Sequence, residues 1–335
     1  MPQRVARTSS IGFTVGALVL ALGVGGCTEM LDAGSTRPHG LLPVDERNSL
    51  VILNDGVKDN WQGEYAMLLA NGGGPPLSGL IVTASPAWTE LDENVQDWRG
   101  LVGAARDSGL AGIPDPVASV GASLVKPASG AIEDTVPNRS EGARFIVEAA
   151  ARLSEPYRPL VVATGTRLTD VADAYLIEPR IASQLVVVAS LGALSSTGAG
   201  MSNPNGEMDP WADFIVSSRL RYVQVSAYYD QLTDVPDARV SELPDNAFGA
   251  WMAAKQREIY SIAVAADQVS VLAAGLPAFA TAVSRVTTRG EPSASAGPEL
   301  VPDPRGGAWL VTQSDGTFAT TRLWELLLDP RTFGN

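Results

Sequence analysis

Carboxylates, amides and hydroxyls recur directly after the most apolar runs of this 335-residue chain. Asn54-Asp55-Gly56-Val57-Lys58-Asp59-Asn60 follows Leu50-Val51-Ile52-Leu53, and Thr164-Gly165-Thr166-Arg167-Leu168-Thr169-Asp170 follows Leu160-Val161-Val162-Ala163. A Gly/Ser-rich stretch after Leu185–Ala189 ends in Asn203-Pro204-Asn205-Gly206-Glu207-Met208-Asp209-Pro210. Tyr228-Tyr229-Asp230 follows Tyr222–Ala227, and Asp267 precedes an Ala/Leu-rich segment. Oxygen ligands of this kind suit the hard cations Ca²⁺ and Mg²⁺. A carboxylate beside a cation-polarised water can act as a base. The chemistry left out is equally informative. His39 is the single histidine and Cys27 the single cysteine. A histidine-based triad and a zinc site built on His or Cys are therefore not expected.

These residues need a frame that gathers them. Continuous apolar runs of four or five residues read as strands buried on both faces. The spacing predicts strands at Leu50–Leu53, Gly79–Thr83, Leu160–Ala163, Leu185–Ala189 and Tyr222–Ala227. Helices are expected at Trp61–Ala70, Val95–Asp107, Ser140–Leu153, Leu168–Glu178, Phe248–Tyr260 and Gln268–Leu276. Strands alternating with helices imply right-handed βαβ units. The expected fold is α/β: a mainly parallel, Rossmann-like open sheet flanked by helices. Phe279–Thr288, Trp309–Gln313 and Phe318–Trp324 read as strands of a small C-terminal β extension. The segments Gly109–Pro137 and Gly290–Gly307 read as loops. In such sheets ligands bind beyond the carboxyl ends of the strands, which is where the polar clusters fall.

The order of these clusters resembles the nucleoside hydrolase family, calcium-dependent enzymes that split nucleosides into ribose and base. That family opens with an apolar strand and Asp-Pro-Gly-x-Asp-Asp; Asp55-Gly56-Val57-Lys58-Asp59-Asn60 keeps the first two aspartates at that spacing. Thr164 to Asp170 is similar to the family's Thr-Gly-x-Leu-Thr-Asn turn with one extra residue. Leu176-Ile177-Glu178-Pro179-Arg180-Ile181 resembles its Leu-x-x-Pro-x-Ile stretch. Asn205-Gly206-Glu207 with Asp209-Pro210-Trp211-Ala212 looks like a shortened form of its Glu/Asn segment before an Asp-Pro-x-Ala helix. Asp267 matches the aspartate of a late His-Asp pair, with Ala266 where the histidine would be.

The resemblance implies roles. Asp55 would bind the metal and take a proton from the attacking water. Asn60, the backbone carbonyl of Thr164 and Asp267 would complete the protein ligands to Ca²⁺. Asp59, Asn205 and Glu207 would hold sugar hydroxyls. Asn60 in place of an aspartate removes a charge, which should weaken Ca²⁺ binding. Ala266 cannot protonate a leaving base. The implied activity is hydrolysis of the ribose–base bond of a nucleoside or related riboside. The alternative is a nucleoside- or sugar-binding protein that keeps the fold without turnover.

Plainer readings stand beside these. Asp55, Asp59, Asn60 and Asp267 could cap helices, and Thr164-Gly165 could be turn chemistry. Asp209 before Pro210 reads as a helix cap with proline at the first helical position. Thr169 and Asp170 read as braces. Trp61, Trp88, Tyr228 and Tyr229 could stack on a base, though aromatics more often pack in cores.

The N-terminus addresses location. Arg4 and Arg7 precede an apolar stretch from Ile11 to Val24, too short to span a bilayer and suited to a signal peptide. It ends in Val24-Gly25-Gly26-Cys27, which resembles the bacterial lipobox. Residues 1–26 are expected to be a signal peptide, Cys27 the lipidation site, 27–48 a tether and 49–335 one domain. The expected location is the bacterial cell envelope, anchored to a membrane through lipid. The formal charge of −13 becomes −15 once Arg4 and Arg7 are removed. That argues against nucleic acid as a partner. Self-association into a homo-oligomer is left open.

Overall fold

The computed structural model describes residues 42–57, 60–190, 195–196, 204–226, 237–262, 267–292 and 298–334, and of 195–196, 204, 207, 237 and 258–262 the backbone only. Its centre is a ten-stranded sheet. The strands are β1 (Leu50–Asn54), β2 (Leu77–Thr83), β3 (Pro116–Ser119), β4 (Leu160–Thr164), β5 (Leu185–Ser190), β6 (Ser195–Ser196), β7 (Arg221–Val225), β8 (Ala280–Arg289), β9 (Glu299–Pro302) and β10 (Ala308–Ser314). They lie in the order β3-β2-β1-β4-β5-β7-β10-β8-β9-β6. From β3 to β10 all pairings are parallel; β8 runs antiparallel to both β10 and β9.

The apolar runs explain the layering. β1, β4 and β5 are buried at every position, so alternate side chains feed two cores. Leu50 and Ile52 face one core with α1 (Gln62–Asn71), α2 (Leu91–Asp107), α7 (Ala247–Ile262), α8 (Gln268–Gly275) and α9 (Gly316–Leu328). Val51 and Leu53 face the other with α3 (Glu141–Leu153), α4 (Thr169–Ile177) and α6 (Pro210–Arg219). A single turn, α5 (Pro204–Glu207), precedes α6. The first core also holds an ion pair: Lys255 Nζ lies 3.2 Å from Glu64 Oε1, both side chains almost wholly buried, pinning α7 to α1.

Three expectations change. Phe318–Trp324 is helical, part of α9, because Asp315 accepts the Phe318 N–H at 2.8 Å and caps it. Its buried residues Ala319, Leu323, Trp324, Leu326 and Leu327 follow a helical spacing. β3 lies inside the expected loop Gly109–Pro137 and β9 inside Gly290–Gly307. The C-terminal β extension is continuous with the main sheet, since β10 pairs with β7.

The strand order decides where a site can form. From β1 the chain proceeds outward to β2 and β3, then crosses to β4 on the opposite side of β1. The two directions leave a crevice beyond the carboxyl ends of β1 and β4, a topological switch point.

Candidate active site at the switch point

Asp55 is the first residue after β1 and is buried, 3% exposed. Its backbone is clamped on both sides. The Asn54 Oδ1 accepts the Asp55 N–H at 2.7 Å, and the Trp98 Nε1–H donates to the Asp55 carbonyl at 3.0 Å. Asp55 Oδ1 accepts the Gly56 N–H at 2.7 Å, and Oδ2 accepts the Thr166 hydroxyl at 2.8 Å. Thr166 belongs to the turn that ends β4, whose Gly165 N–H donates to the Leu53 carbonyl at 3.0 Å. The two strand ends are thus tied across the crevice.

Asp267 arrives from the start of α8 and packs directly on that turn. A Cβ on Gly165 would lie 2.5 Å from both Cβ and Cγ of Asp267 and 2.7 Å from Asn54 Nδ2. Only glycine permits this approach. Asp55 and Asp267, both buried, therefore flank the Thr164-Gly165-Thr166 turn. Asn205 reaches the same place: its Nδ2 donates to the Ser190 carbonyl at 3.1 Å and to Asp267 Oδ1 at 3.4 Å.

Asn60 is committed to the loop. Its Oδ1 accepts the Gln62 N–H at 3.0 Å and its Nδ2 donates to the Gly56 carbonyl at 2.8 Å, which turns the chain into α1. Asp59, Ala266, Tyr228, Tyr229, Asp230, Cys27, His39 and the side chain of Glu207 lie outside the described residues. Among those described, no three His, Cys, Asp or Glu side chains converge on one point. A cation here would draw on the carboxylates of Asp55 and Asp267 and on backbone carbonyls of the turn. That donor set is all hard oxygen, flanking a turn with no room for a Cβ, and it fits Ca²⁺ or Mg²⁺ with reduced charge.

The aromatics separate. Trp61 is fully buried and stacks on Tyr65, with ring centroids 6.1 Å apart, as part of the core. Trp88 is half-buried and lies flat against Gly56, where a Cβ would come 2.4 Å from the indole. Its ring is thus next to Asp55.

Arg167, the extra residue of the turn, joins the site without any local motif that marks it. Its guanidinium donates to the Ala84 carbonyl at 2.6 Å and to Ser123 Oγ at 3.3 Å, joining the ends of β2, β3 and β4. Burial lowers its pKa, while Asp209, Asp170 and Asp55 oppose that shift. The cation is thus held among carboxylates. Ser123 and Asp209 also line an open cleft of about 480 Å³ with Lys126 and Trp211.

Behind this lies a set of bracing carboxylates. Asp170 accepts the Ser119 and Ser140 hydroxyls at 2.8 and 2.6 Å. Asp209 caps α6 through the Ala212 N–H at 3.1 Å and accepts the Thr169 hydroxyl at 2.7 Å. Asp213 is different: both its oxygens are buried without a hydrogen-bond partner. Burial pushes its carboxyl well above the ordinary carboxylate range, and Asp209 adds to this. Below about pH 4 both folded and unfolded states hold the proton. As pH rises from there toward the folded-state value, unfolding releases it, so stability falls. Asp213→Asn should remove that slope. In urea titrations it should match the parent near pH 4 and exceed it by roughly 1–3 kcal/mol at neutral pH and above. Parallel pH profiles would contradict this assignment.

No family model matches the chain, and no curated protein matches it. Solved structures do. An inosine-guanosine nucleoside hydrolase superposes with TM-score 0.59 at 16% identity, over 83% of this chain and 98% of that one. A purine-preferring ribonucleoside hydrolase from Gardnerella vaginalis gives 0.57 at 14%, over 85% and 98%. The type III effector XopQ, complexed with adenosine diphosphate ribose, gives 0.51 at 15%, over 91% and 97%. The fold is that of the nucleoside hydrolases.

Proposed function

We propose that this chain, built on the nucleoside hydrolase fold, is an N-riboside hydrolase of the cell envelope. Water would attack the anomeric carbon of a nucleoside or related riboside. The carbon–nitrogen bond would break, and the base would leave with the electron pair. The observation that carries this reading is the pair of buried carboxylates, Asp55 and Asp267, flanking the Thr164-Gly165-Thr166 turn at the switch point.

In this reading Asp55 takes the proton of the attacking water. The Thr166 hydroxyl on its Oδ2 fixes the carboxylate's orientation. Asp55, the Thr164 carbonyl and Asp267 would hold Ca²⁺, with Asn60 contributing through the loop fold that it closes. Bound calcium would supply positive charge that makes a nearby water easier to deprotonate. Asn205, within reach of Asp267, would hold sugar hydroxyls together with Asp59 and Glu207. The carboxylates would also stabilise the positive charge that develops on the ribose ring. Trp88 beside Gly56 offers a flat surface for the base. The test is release of reducing sugar from a panel of nucleosides and synthetic ribosides, with Ca²⁺ or with chelator. Calcium-dependent release from any of them supports hydrolysis.

A second reading is a binding protein without turnover. It is favoured by Asn60, whose amide is committed to the loop. Nucleoside or ribose binding without release of base would select it.

The Val24 to Cys27 stretch supports an envelope anchor through lipid on Cys27. Cys27→Ser should move the protein from the membrane fraction or leave an uncleaved precursor, read by lipid labelling and fractionation. Unchanged cleavage and partition would exclude the anchor.

A further inference from the structure

We infer that Gln62 is a positioning residue that sets the gap between Asp55 and Asp267. This rests on the reading of those two carboxylates as the working pair. Gln62 opens α1 and is completely buried. Its Oε1 accepts the Asn54 Nδ2–H at 2.7 Å. Asn54 ends β1, and its own Oδ1 holds the Asp55 N–H. The Gln62 Nε2 donates to Ser270 Oγ at 2.8 Å and lies 3.5 Å from the Ala163 carbonyl of β4. The Ser270 hydroxyl in turn donates to the Asp267 carbonyl at 2.8 Å.

One amide therefore joins the elements that carry Asp55, Thr164 and Asp267. The task calls for an acceptor and two donors at one planar end, which glutamine has and glutamate or methionine lacks. The neighbouring Gly63 assists. A Cβ there would come 2.6 Å from Trp98 and Leu101, so its absence lets α1 close on Trp98, which holds the Asp55 carbonyl.

The experiment uses the full chain as Gln62→Met, Ser270→Ala and the double variant. Three quantities are read: calcium affinity by calorimetry, amide hydrogen exchange, and the urea midpoint. Residues that hold metal ligands in place typically cost ~10–100-fold in affinity when replaced. Each single variant should lose about that much, and the double variant should lose clearly less than the two losses combined, because both remove the Gln62–Ser270 bond. Exchange should quicken at 54–56 and 267–270 while β5 and β7 keep their protection. If Gln62→Met does not fold, Ser270→Ala decides alone, since it removes one hydroxyl. Unchanged exchange at both segments, or additive losses of affinity, would overturn the role of Gln62. A parent protein that binds no calcium, with exchange quickened in the variants, would instead overturn the proposed cation site while supporting Gln62.

Discussion

Gly165→Ala is expected to disable the site without altering any of its side chains. The new Cβ would stand 2.5 Å from Asp267 Cβ and Cγ, closer than real side chains approach one another. Asp267 Cβ is anchored at the start of α8, so the strain cannot be released by turning a flexible tip. Either Asp267 or the β4 turn must move. A misplacement on the order of 1 Å costs about 10²-fold in rate, and calcium affinity should fall with it. Overpacking adds roughly 1–3 kcal/mol of destabilisation, which the urea midpoint would register. Asp55→Ala should be more severe, about 10²–10⁴-fold in kcat/KM, since it removes the proposed base outright. It should leave the sheet intact, because β1 is held by its own ladders to β2 and β4. A Gly165→Ala protein with parental calcium affinity and turnover would show that Asp267 has no part in the chemistry.

The second large effect concerns the leaving group. A departing purine is a better leaving group when protonated, and a positioned acid typically contributes ~10²–10⁴-fold. Ala266 provides no such group where the family resemblance leads one to look for a histidine, and the only histidine is His39. The chain should therefore favour a riboside whose leaving group needs no proton. The expected result is a kcat/KM for p-nitrophenyl riboside that exceeds that for inosine by about that factor, both with Ca²⁺ present. Inosine cleaved as well as the activated riboside would require another acid.

How much of this was legible in the residues depends on the distance over which each feature is determined. Asp55 stood out because it lies just past the apolar run Leu50 to Leu53 and a buried strand must end in a polar loop. The cap formed by Asp209 and Pro210 is local in the same way. The strands β1, β4 and β5 announce themselves as unbroken apolar runs. The Gln62 bond to Ser270 spans 208 positions and the Thr166 bond to Asp55 spans 111, so no local pattern contains them. The one signal was a glutamine and a glutamate in the first turn of an otherwise apolar helix. Arg167 was visible as an insertion, but its role depends on Ala84 and Ser123, which are brought to it by β2 and β3. β3 was hidden by Pro116, which an edge strand tolerates at its first position. Phe318–Trp324 mixes aromatic, β-branched and polar residues much as a half-buried strand does; the Asp315 cap is what decides for helix.

In the proposed site Asp55 and Asp267 work as a pair around a hard cation and a ribose. The most direct measurement is a crystal structure of the full-length protein soaked with Ca²⁺ and ribose. One ion should touch carboxylate oxygens of Asp55 and Asp267 and the Thr164 carbonyl, with a ribose hydroxyl completing its shell. Ribose bound elsewhere, or density for the sugar at the switch point with no ion between the two carboxylates, would contradict this pairing.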